Sequence, residues 1–343
     1  MGLRAPPRIA VVGAGIAGLS CAGLLQKAAC AVTVFEKSRG PSGRMSTRNS
    51  GAWQCDHGAR FFTAGDPRFQ QAVAGWVQAG LAAPWPARFA RHDGRNLSPV
   101  IPDRTRYVGV PGMNAIGHAL AGAFSLRTEA TVQGLTRDGA GWRLLFKEHA
   151  EDAGPFDAVL LAIPAPQAAA LLGGVDAELS AVAAGASMRG CWTLMLQYQA
   201  APGLPYDALE VMDSPLAWAA RDSSKPGRSG LESWVLQATP EWSETHLEDP
   251  AERVAAALLD AFAGLGGPPP DAWTAHRWRY ADCARPLAAG ALWNPGSGLG
   301  MCGDWVDRGG VEGAWLSGRA LAGRALRFLN LDHSDIPDQP RTG

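Results

Sequence analysis

The sequence is poor in several chemically important residue types, and each shortage argues against a class of function. Its 343 residues include only four lysines and four tyrosines, so few positions can supply an amine or a phenol. The six cysteines are scattered without a CxxC pair, which disfavours both a disulfide framework and a zinc site. We therefore expect no metal centre, and we expect a reducing, cytoplasmic compartment.

The chain also lacks an excess of charge of either sign. It has 31 basic and 32 acidic residues, a net charge of −1, and so no overall field that would attract nucleic acid or an anionic membrane surface. No uninterrupted apolar stretch reaches the roughly 20 residues of a membrane span. The expected partner is a small molecule, with no nucleic acid and no membrane, and the sequence leaves the oligomeric state open. The length allows two domains.

The strongest pattern that is present lies near the N-terminus. A short apolar strand runs into Gly13-Ala14-Gly15-Ile16-Ala17-Gly18, a helical pattern follows, and a second strand ends on Glu36. Gly13 permits a tight turn, Gly15 lets the backbone approach a pyrophosphate, and Gly18 allows close packing of helix on strand. The free N–H groups at the helix start attract phosphate, and Glu36 can accept hydrogen bonds from a ribose diol. The pattern predicts a dinucleotide site.

The residues that follow resemble the flavin-dependent amine oxidase superfamily. Gly43-Arg44 is similar to the glycine–arginine segment that clamps the FAD diphosphate there, and Asp56-His57-Gly58-Ala59 is similar to the stretch that brings backbone amides to the flavin. Gly303-Asp304 and then Glu312-Gly313-Ala314 resemble the second half of the FAD site. Motifs at opposite ends of the chain therefore fit one cofactor, FAD.

This resemblance implies an α/β fold of two domains. One is a Rossmann-like FAD-binding domain of the amine oxidase/p-hydroxybenzoate hydroxylase type, and the other is a substrate domain built on an antiparallel sheet. We expect residues 1–75, 109–172 and 276–330 to form the discontinuous FAD-binding domain, and residues 76–108 and 173–275 to form the substrate domain. Residues 331–343 are polar, and we expect a flexible tail there.

The resemblance also implies a set of FAD contacts. Asp304 would bond the ribityl or diphosphate oxygens, the helix near Glu312 would direct its positive end at N1 and O2 of the flavin, and Trp278 would lie beside the flavin ring. The complete expected set is Gly13, Gly15, Ile16, Ala17, Gly18, Glu36, Lys37, Gly43, Arg44, Met45, Ala59, Arg60, Phe61, Val132, Ala162, Trp278, Gly303, Asp304, Val311, Glu312 and Ala314.

Two features depart from the amine oxidases of this superfamily. Those enzymes commonly carry a lysine, bridged by water to flavin N5, on the strand that corresponds to residues 187–192, where this chain has Arg189 and no lysine. They often carry an aromatic residue two positions before the glutamate of the Glu-Gly-Ala motif, where this chain has Gly310. The aromatic cage that holds an amine over the flavin is therefore expected to be absent.

A closer resemblance is to the renalase family, especially its bacterial members. It depends on Asp56-His57-Gly58-Ala59, Ser187-Met188-Arg189 and Arg277-Trp278-Arg279, whereas Arg60-Phe61 replaces the Gln-Tyr usual in that family. The family implies oxidation of misreduced 2- and 6-dihydro isomers of NAD(P) by hydride transfer to FAD, with O2 reoxidising the flavin to give H2O2. A dihydropyridine expels hydride with its own ring-nitrogen lone pair, so it needs positioning but no general base.

The expected substrate pocket contains His57, Arg60, Arg189, Trp192 and Trp234. His57 is either a base or a structural hydrogen-bonding group, and the two arginines either hold a carboxamide or phosphate of the substrate or are ion-paired. Three activities remain open at this point: a renalase-like oxidase, a flavin amine oxidase or desaturase of unknown small-molecule substrate, and a flavoprotein that binds without turnover.

Overall fold

The computed structural model describes residues 5–331, which divide into two compact units. Unit 1 comprises residues 5–43, 117–188 and 283–331, and unit 2 comprises residues 44–116 and 189–282. The sequence-based boundaries put residues 44–75 with the FAD-binding segments, whereas this division groups them with unit 2. Apart from Leu331, the tail expected at 331–343 lies outside the described residues.

The strands of the described chain are numbered in chain order. They are β1 (Arg8–Val12), β2 (Ala31–Phe35), β3 (Thr47–Asn49), β4 (Gln54–Asp56), β5 (Ala82–Pro84), β6 (Phe89–His92), β7 (Leu97–Pro99), β8 (Tyr107–Gly109), β9 (Ser125–Arg127), β10 (Val132–Asp138), β11 (Gly141–Phe146), β12 (Ala153–Phe156), β13 (Ala158–Leu161), β14 (Met188–Tyr198), β15 (Ala208–Val211), β16 (Leu216–Arg221), β17 (Glu232–Ala238), β18 (Ala272–Cys283), β19 (Leu292–Asn294) and β20 (Leu299–Met301).

The helices are numbered in the same way. They are α1 (Ile16–Lys27), α2 (Pro67–Gln78), α3 (Ala115–Ala121), α4 (Ala165–Leu172), α5 (Ala177–Ala184), α6 (Pro240–Thr245), α7 (Ala251–Ala263) and α8 (Gly310–Phe328). None of the helices in residues 5–331 is both long and apolar enough to cross a membrane.

Unit 1 is built on a six-stranded sheet with the order β19-β20-β13-β1-β2-β9. The five strands from β20 to β9 are parallel, and β19 is antiparallel at one edge. The central strands are continuous apolar runs because both faces of a parallel sheet are covered. Since β1 and β20 are parallel, their carboxyl ends lie at the same edge of the sheet, and helices α1 and α8 follow them. A separate antiparallel sheet, β10-β11-β12, completes the unit.

Unit 2 is built on a seven-stranded sheet with the order β18-β14-β17-β16-β15-β6-β7. The pairs β14–β17, β17–β16 and β16–β15 are antiparallel, whereas β15 and β6 are parallel. One face presents Leu194, Leu236 and Ala219 to an apolar core that also contains Leu258 of α7. Alternation along the strands puts Thr193, Gln237 and Trp218 on the opposite face.

The predicted fold class is confirmed. The structure has a Rossmann-like parallel sheet and a separate, largely antiparallel sheet, as the resemblance implied. The apolar run at residues 156–163 predicts one buried strand, but the structure has β12 ending at Phe156 and β13 at Ala158–Leu161, interrupted at Asp157. At this residue the carboxylate accepts a hydrogen bond from the backbone N–H of Arg8 at 2.7 Å.

Candidate active site

The glycine turn after β1 has no room for a side chain at Gly13 or Gly18 but is open at Gly15. Gly13 has a φ of +102°, and a Cβ there would meet the carbonyl oxygen of Ala162 at 2.5 Å. A Cβ on Gly18 would overlap the carbonyl oxygen of Gly13. A Cβ on Gly15 would meet nothing within 4 Å. The backbone can therefore be approached by a ligand at Gly15, where α1 begins.

Helices α1 and α8 of unit 1 both begin without a side-chain cap and pack against each other. The residues before α1 and α8 are Gly15 and Gly309, and neither helix start has a side-chain cap. Their first halves are in close contact, because the hydroxyl of Ser20 donates to the carbonyl of Trp315 at 2.9 Å and a Cβ on Gly318 would overlap the Ala17 carbonyl. The uncapped N–H groups and the positive dipole end of each helix favour an anion at its start.

Glu36 places a buried carboxylate at the end of β2. It is 6% exposed, one oxygen accepts the backbone N–H of Ala14 and the other accepts that of Ser38, each at 2.8 Å. Each carboxylate oxygen has a second lone pair that can accept a hydroxyl hydrogen. The diphosphate and ribose of a dinucleotide would fit the open backbone at Gly15, the uncapped helix starts and the Glu36 carboxylate.

In unit 2, the segment from Asp56 to Phe61 lies against the sheet face opposite the apolar core. The carbonyl of Gly58 accepts a hydrogen bond from the Gln237 amide on β17 at 2.8 Å. The Phe61 ring packs on Trp218 of β16 with centroids 5.8 Å apart. A Cβ on Gly58 would overlap the Arg44 carbonyl, so the chain passes too closely for any larger residue at that position.

His57, His276 and Trp278 form an aromatic cluster at the β18 end of this segment. The His57 ring stacks on Trp278 with centroids 5.4 Å apart and meets His276 edge-on at 4.8 Å. The indole N–H of Trp278 donates to the His57 carbonyl at 2.8 Å. Burial, assisted by Arg48, lowers the pKa of His276 to about 4, and burial together with His276 lowers the pKa of His57 to about 4. Both imidazoles are therefore neutral and weakly basic at pH 7.

Arg60 is held between a neutral amide and an indole. Its Nε donates to Oε1 of Gln237 at 2.5 Å, and its guanidinium lies over the Trp218 ring at 5.1 Å. No carboxylate among residues 5–331 forms an ion pair with it, and its Nη1 and Nη2 atoms have no hydrogen-bond acceptor in that part of the chain. Arg60 therefore keeps its charge and two of its three nitrogens for solvent or a ligand.

The other three predicted pocket residues have partners in unit 2. Arg189 makes a bidentate ion pair with Asp282, at 3.0 and 2.8 Å. Trp192 is 5% exposed and donates its indole N–H to the His246 carbonyl at 2.9 Å, and Trp234 is 1% exposed. Both tryptophans belong to the apolar core of the unit. Their positions are those of packing residues rather than of a pocket wall.

A buried ionic cluster adjoins this segment. Lys225 contacts Asp56 at 2.8 Å and Asp222 at 2.7 Å, and Arg228 contacts the same two carboxylates. All four side chains are at most 1% exposed. Asp56 also accepts the Thr47 hydroxyl at 2.6 Å. Burial opposes ionisation of Asp56, but Lys225 and Arg228 outweigh it and hold its pKa below the usual range.

Comparison with known proteins identifies the family. Residues 11–76 match the NAD(P)-binding Rossmann-like domain, and residues 74–326, well over half of the chain, match the flavin-containing amine oxidoreductases. The chain belongs to the flavin-containing amine oxidoreductase family. It is therefore an FAD-dependent oxidoreductase, and the prediction of FAD as cofactor is confirmed.

Solved structures of low sequence identity share the fold of this flavin-containing amine oxidoreductase. A candidate protoporphyrinogen oxidase from Exiguobacterium sp. 255-15 is 14% identical with a TM-score of 0.76, and the match covers 96% of this chain and all of the other. Cyclohexylamine oxidase from Brevibacterium oxydans IH-35A is 13% identical with a TM-score of 0.73, covering 95% of this chain and all of the other. An oxidoreductase from Methanosarcina mazei is 14% identical with a TM-score of 0.68, covering 92% of this chain and all of the other.

The two units divide the FAD contacts expected from the flavoprotein resemblance. The contacts in unit 1 are Gly13, Gly15, Ile16, Ala17, Gly18, Glu36, Lys37, Gly43, Val132, Ala162, Gly303, Asp304, Val311, Glu312 and Ala314. Those in unit 2 are Arg44, Met45, Ala59, Arg60, Phe61 and Trp278. Gly303 is fixed by a hydrogen bond from its N–H to the hydroxyl of Ser317 on α8 at 3.0 Å. Lys37 is exposed, and Arg44 donates to the Ala281 carbonyl at 2.9 Å.

The sequence reasoning about this oxidoreductase missed three groups that surround the segment from Asp56 to Phe61. Lys225 follows a short 3-10 helix at Asp222–Ser224, and its ammonium is buried between two carboxylates. Gln237 and His276 carry no motif that would single them out. The local signal for the ionic cluster was the spacing of Asp222 and Lys225, three residues apart across the 3-10 turn, whereas no local pattern indicates that Asp56 joins them.

Proposed function

We propose that this FAD-dependent oxidoreductase is renalase-like and oxidises 2- and 6-dihydro isomers of NAD(P) to NAD(P)+. The substrate loses a hydride, that is, one proton and two electrons. With one further proton from solvent, O2 takes up these equivalents and becomes H2O2. FAD supplies the hydride acceptor when bound.

The observation that supports this proposal is the shortage of a usable base in the aromatic cluster. The pKa values of His57 and His276 are lowered to about 4, so each imidazole is a poor proton acceptor at pH 7. The Lys225 ammonium is fixed between Asp56 and Asp222, which raise its pKa against the effect of burial. A dihydropyridine needs no proton removed before its hydride leaves, whereas an ammonium substrate must first lose a proton.

For the cofactor, we propose the same residues that the resemblance implied, with the segment around Arg60 contributing its backbone and leaving the Arg60 side chain to the substrate. The start of α1 at Gly15 and the start of α8 would meet the diphosphate and the anionic part of the reduced ring, since neither helix start has a side-chain cap. Glu36 would accept ribose hydroxyls with its remaining lone pairs. Asp304, which is buried, would accept hydroxyls of the ribityl chain.

In the substrate unit, Trp278 and His57 would act by packing rather than by acid–base chemistry. Their stacked rings form a flat apolar wall, and the hydrogen bond from the Trp278 indole to the His57 carbonyl fixes the angle of that wall. A planar pyridine ring is positioned well by such a surface. Positioning of this kind is the main contribution that a hydride donor requires from a protein.

The second candidate is a flavin amine oxidase or desaturase of a small molecule. The family match and the shared fold with cyclohexylamine oxidase favour it. Such an enzyme would need its amine substrate in the neutral form, because a protonated amine has no lone pair to assist hydride loss. The activity of an amine oxidase should therefore rise as the pH approaches the pKa of the amine, whereas oxidation of a dihydropyridine should show no such rise.

An anaerobic titration of the purified holoenzyme separates the two. The long-wavelength band of oxidised FAD is followed while 2-dihydro-NAD(P), 6-dihydro-NAD(P), ordinary NADH and a panel of amines are added in turn. We expect stoichiometric bleaching by the 2- and 6-dihydro isomers and little by NADH or the amines. Bleaching by an amine, with the isomers inert, would refute the renalase-like proposal and establish the second candidate.

A further inference from the structure

We infer that Arg60 anchors an anionic group of the substrate, a carboxylate or a phosphate. This inference deepens the proposed function and rests on it for one point, namely that the ligand is a small molecule oxidised in this protein. The anion itself is inferred from the surroundings of Arg60 within unit 2.

The partners of Arg60 differ from those of other arginines in the same unit. Arg189 is paired with Asp282, Arg221 with Glu232, and Arg228 with Asp56. Arg60 has instead the neutral amide of Gln237, at 2.5 Å from its Nε. Arg60 is half-buried, and its two Nη groups face no carboxylate of residues 5–331 within ion-pair distance, so a ligand carboxylate or phosphate would supply the counter-charge.

The position of Arg60 leaves the right atoms available for such a ligand. Gln237 takes Nε and the Trp218 indole covers one face of the guanidinium, so the Nη1 and Nη2 atoms remain in a fixed plane. Paired N–H groups in one plane match the two oxygens of a carboxylate or the edge of a phosphate. The two Nη groups of Arg60 are therefore held in position before a ligand binds.

The surrounding sheet face supports an oxygen-rich ligand. Trp218 lies directly opposite Gln237 on neighbouring strands, and its indole N–H is buried with no acceptor in residues 5–331. Glu210 lies opposite Trp218 on the next strand, β15, and its carboxylate already forms ion pairs with Arg91 and Arg106. Glu210 is thus engaged by these two arginines and forms no ion pair with Arg60 among residues 5–331.

Binding to the holoenzyme by calorimetry tests the inference with two pairs of probes. Nicotinate and nicotinamide differ by a carboxylate against a carboxamide, and nicotinamide mononucleotide and nicotinamide riboside differ by one phosphate. We expect the wild type to bind the anionic member of at least one pair about tenfold or more tightly, since a charge-assisted bidentate contact is worth at least that factor. The pair that shows the preference identifies the anion as carboxylate or phosphate.

Two variants and a matched control assign the preference to Arg60. Arg60→Gln removes the charge, and Gln237→Glu keeps Arg60 but gives it a carboxylate partner of nearly equal size. Both should abolish the preference for the anion while binding of the neutral probe changes little. Arg88→Gln also removes one positive charge, from an arginine that is 57% exposed and paired with Asp207, and it should leave the preference intact.

Retained FAD and an unchanged melting temperature show that each variant is folded, and Arg60→Lys replaces Arg60→Gln if the latter fails this test. Lysine keeps the charge but lacks the planar fork, so we expect it to weaken the preference. The inference is overturned if the wild type prefers neither anion, including the case in which no probe binds, or if Gln237→Glu leaves the preference unchanged. If no dihydropyridine bleaches the flavin but the anion preference persists, the proposed function fails and the anchor stands.

Discussion

Replacing Lys225 with methionine should destabilise the protein strongly, because it leaves two buried carboxylates with one cation. Asp56 and Asp222 are fully buried, and each lies within 2.8 Å of the Lys225 ammonium. Methionine fills most of the volume of lysine, so the change removes charge with little change in packing. Arg228 remains, but its single charge is shared by both carboxylates, and burial and Asp56 already raise the pKa of Asp222, so Asp222 must take up a proton or stay uncompensated.

The expected loss follows from what is left behind. Removing one partner of a buried ion pair costs about 3–5 kcal/mol, since the other charge stays desolvated. For a unit of roughly 170 residues, each kcal/mol moves the melting temperature by about 2–4 °C, so we expect a decrease on the order of 10 °C. Tryptophan fluorescence during heating, with excess FAD present, measures this decrease.

Three further variants, Lys147→Met, Asp222→Asn and the double variant Asp222→Asn/Lys225→Met, determine whether charge is the cause. Lys147→Met is the control, because Lys147 is exposed at the end of β11 and its loss should change the melting temperature by less than about 2 °C. The double variant Asp222→Asn/Lys225→Met removes one charge of each sign and should regain part of the stability. If the double variant melts as low as the sum of the two single changes implies, then the charges are not coupled and the reasoning about the cluster is wrong.

Two other predictions concern the glycine turn and the histidines. Gly15→Ala should leave the melting temperature of the apoprotein unchanged, because the new Cβ meets no protein atom, but it should weaken FAD binding measured by fluorescence quenching. Gly18→Ala should instead lower the melting temperature, because its Cβ would overlap the Gly13 carbonyl. Equal effects of the two changes would contradict the assignment of Gly15 to the cofactor and Gly18 to packing. His57 and His276 have pKa values lowered to about 4 in the fold against about 6.5 when unfolded. The unfolded state therefore binds more protons between pH 6.5 and 4, and stability should decline as pH falls across that window, by up to about 3 kcal/mol for the buried His57 and by less for the more exposed His276, whose shift solvent screens. In His57→Gln/His276→Gln the melting temperature should depend less on pH there, and an unchanged slope would exclude these histidines as the cause.

Local patterns in the sequence predicted the unit 1 turn because short-range sterics determine it. Gly13 has a φ of +102°, and Gly18 lies where a Cβ would collide with the Gly13 carbonyl, so the spacing of the glycines already contains this local geometry. The position of Glu36 was also predictable from the local pattern, because Glu36 is the residue directly after β2. Here the residues that interact are close in the chain or belong to a single strand–turn–helix unit, which is why motif spacing was informative.

The environment of the unit 2 residues could not be predicted in this way, because it depends on distant strand pairing. The Arg60 partner is Gln237, 177 positions away, and the Asp56 partner is Lys225, 169 positions away. Composition does not indicate which arginine of many will lack an acid. Trp192 and Trp234 illustrate the same limit, since the choice between pocket and core depends on which face of the sheet α7 covers.

Pairing with carboxylates separates structural from ligand-directed cations in unit 2. Arg228 and Lys225 are buried with a matching number of acids, so their charges are used up in holding the loop after β16 against β4. Arg60 is half-buried, and it has the Gln237 amide and the Trp218 indole as its direct partners, whereas Glu210 and Asp282 act on it only from beyond ion-pair distance. Its two Nη groups are held in position by neutral neighbours and are not used in an ion pair of the fold. Its presence is therefore best explained by a ligand that brings the negative charge, and Gln237→Glu, which supplies that charge permanently, tests this explanation most directly.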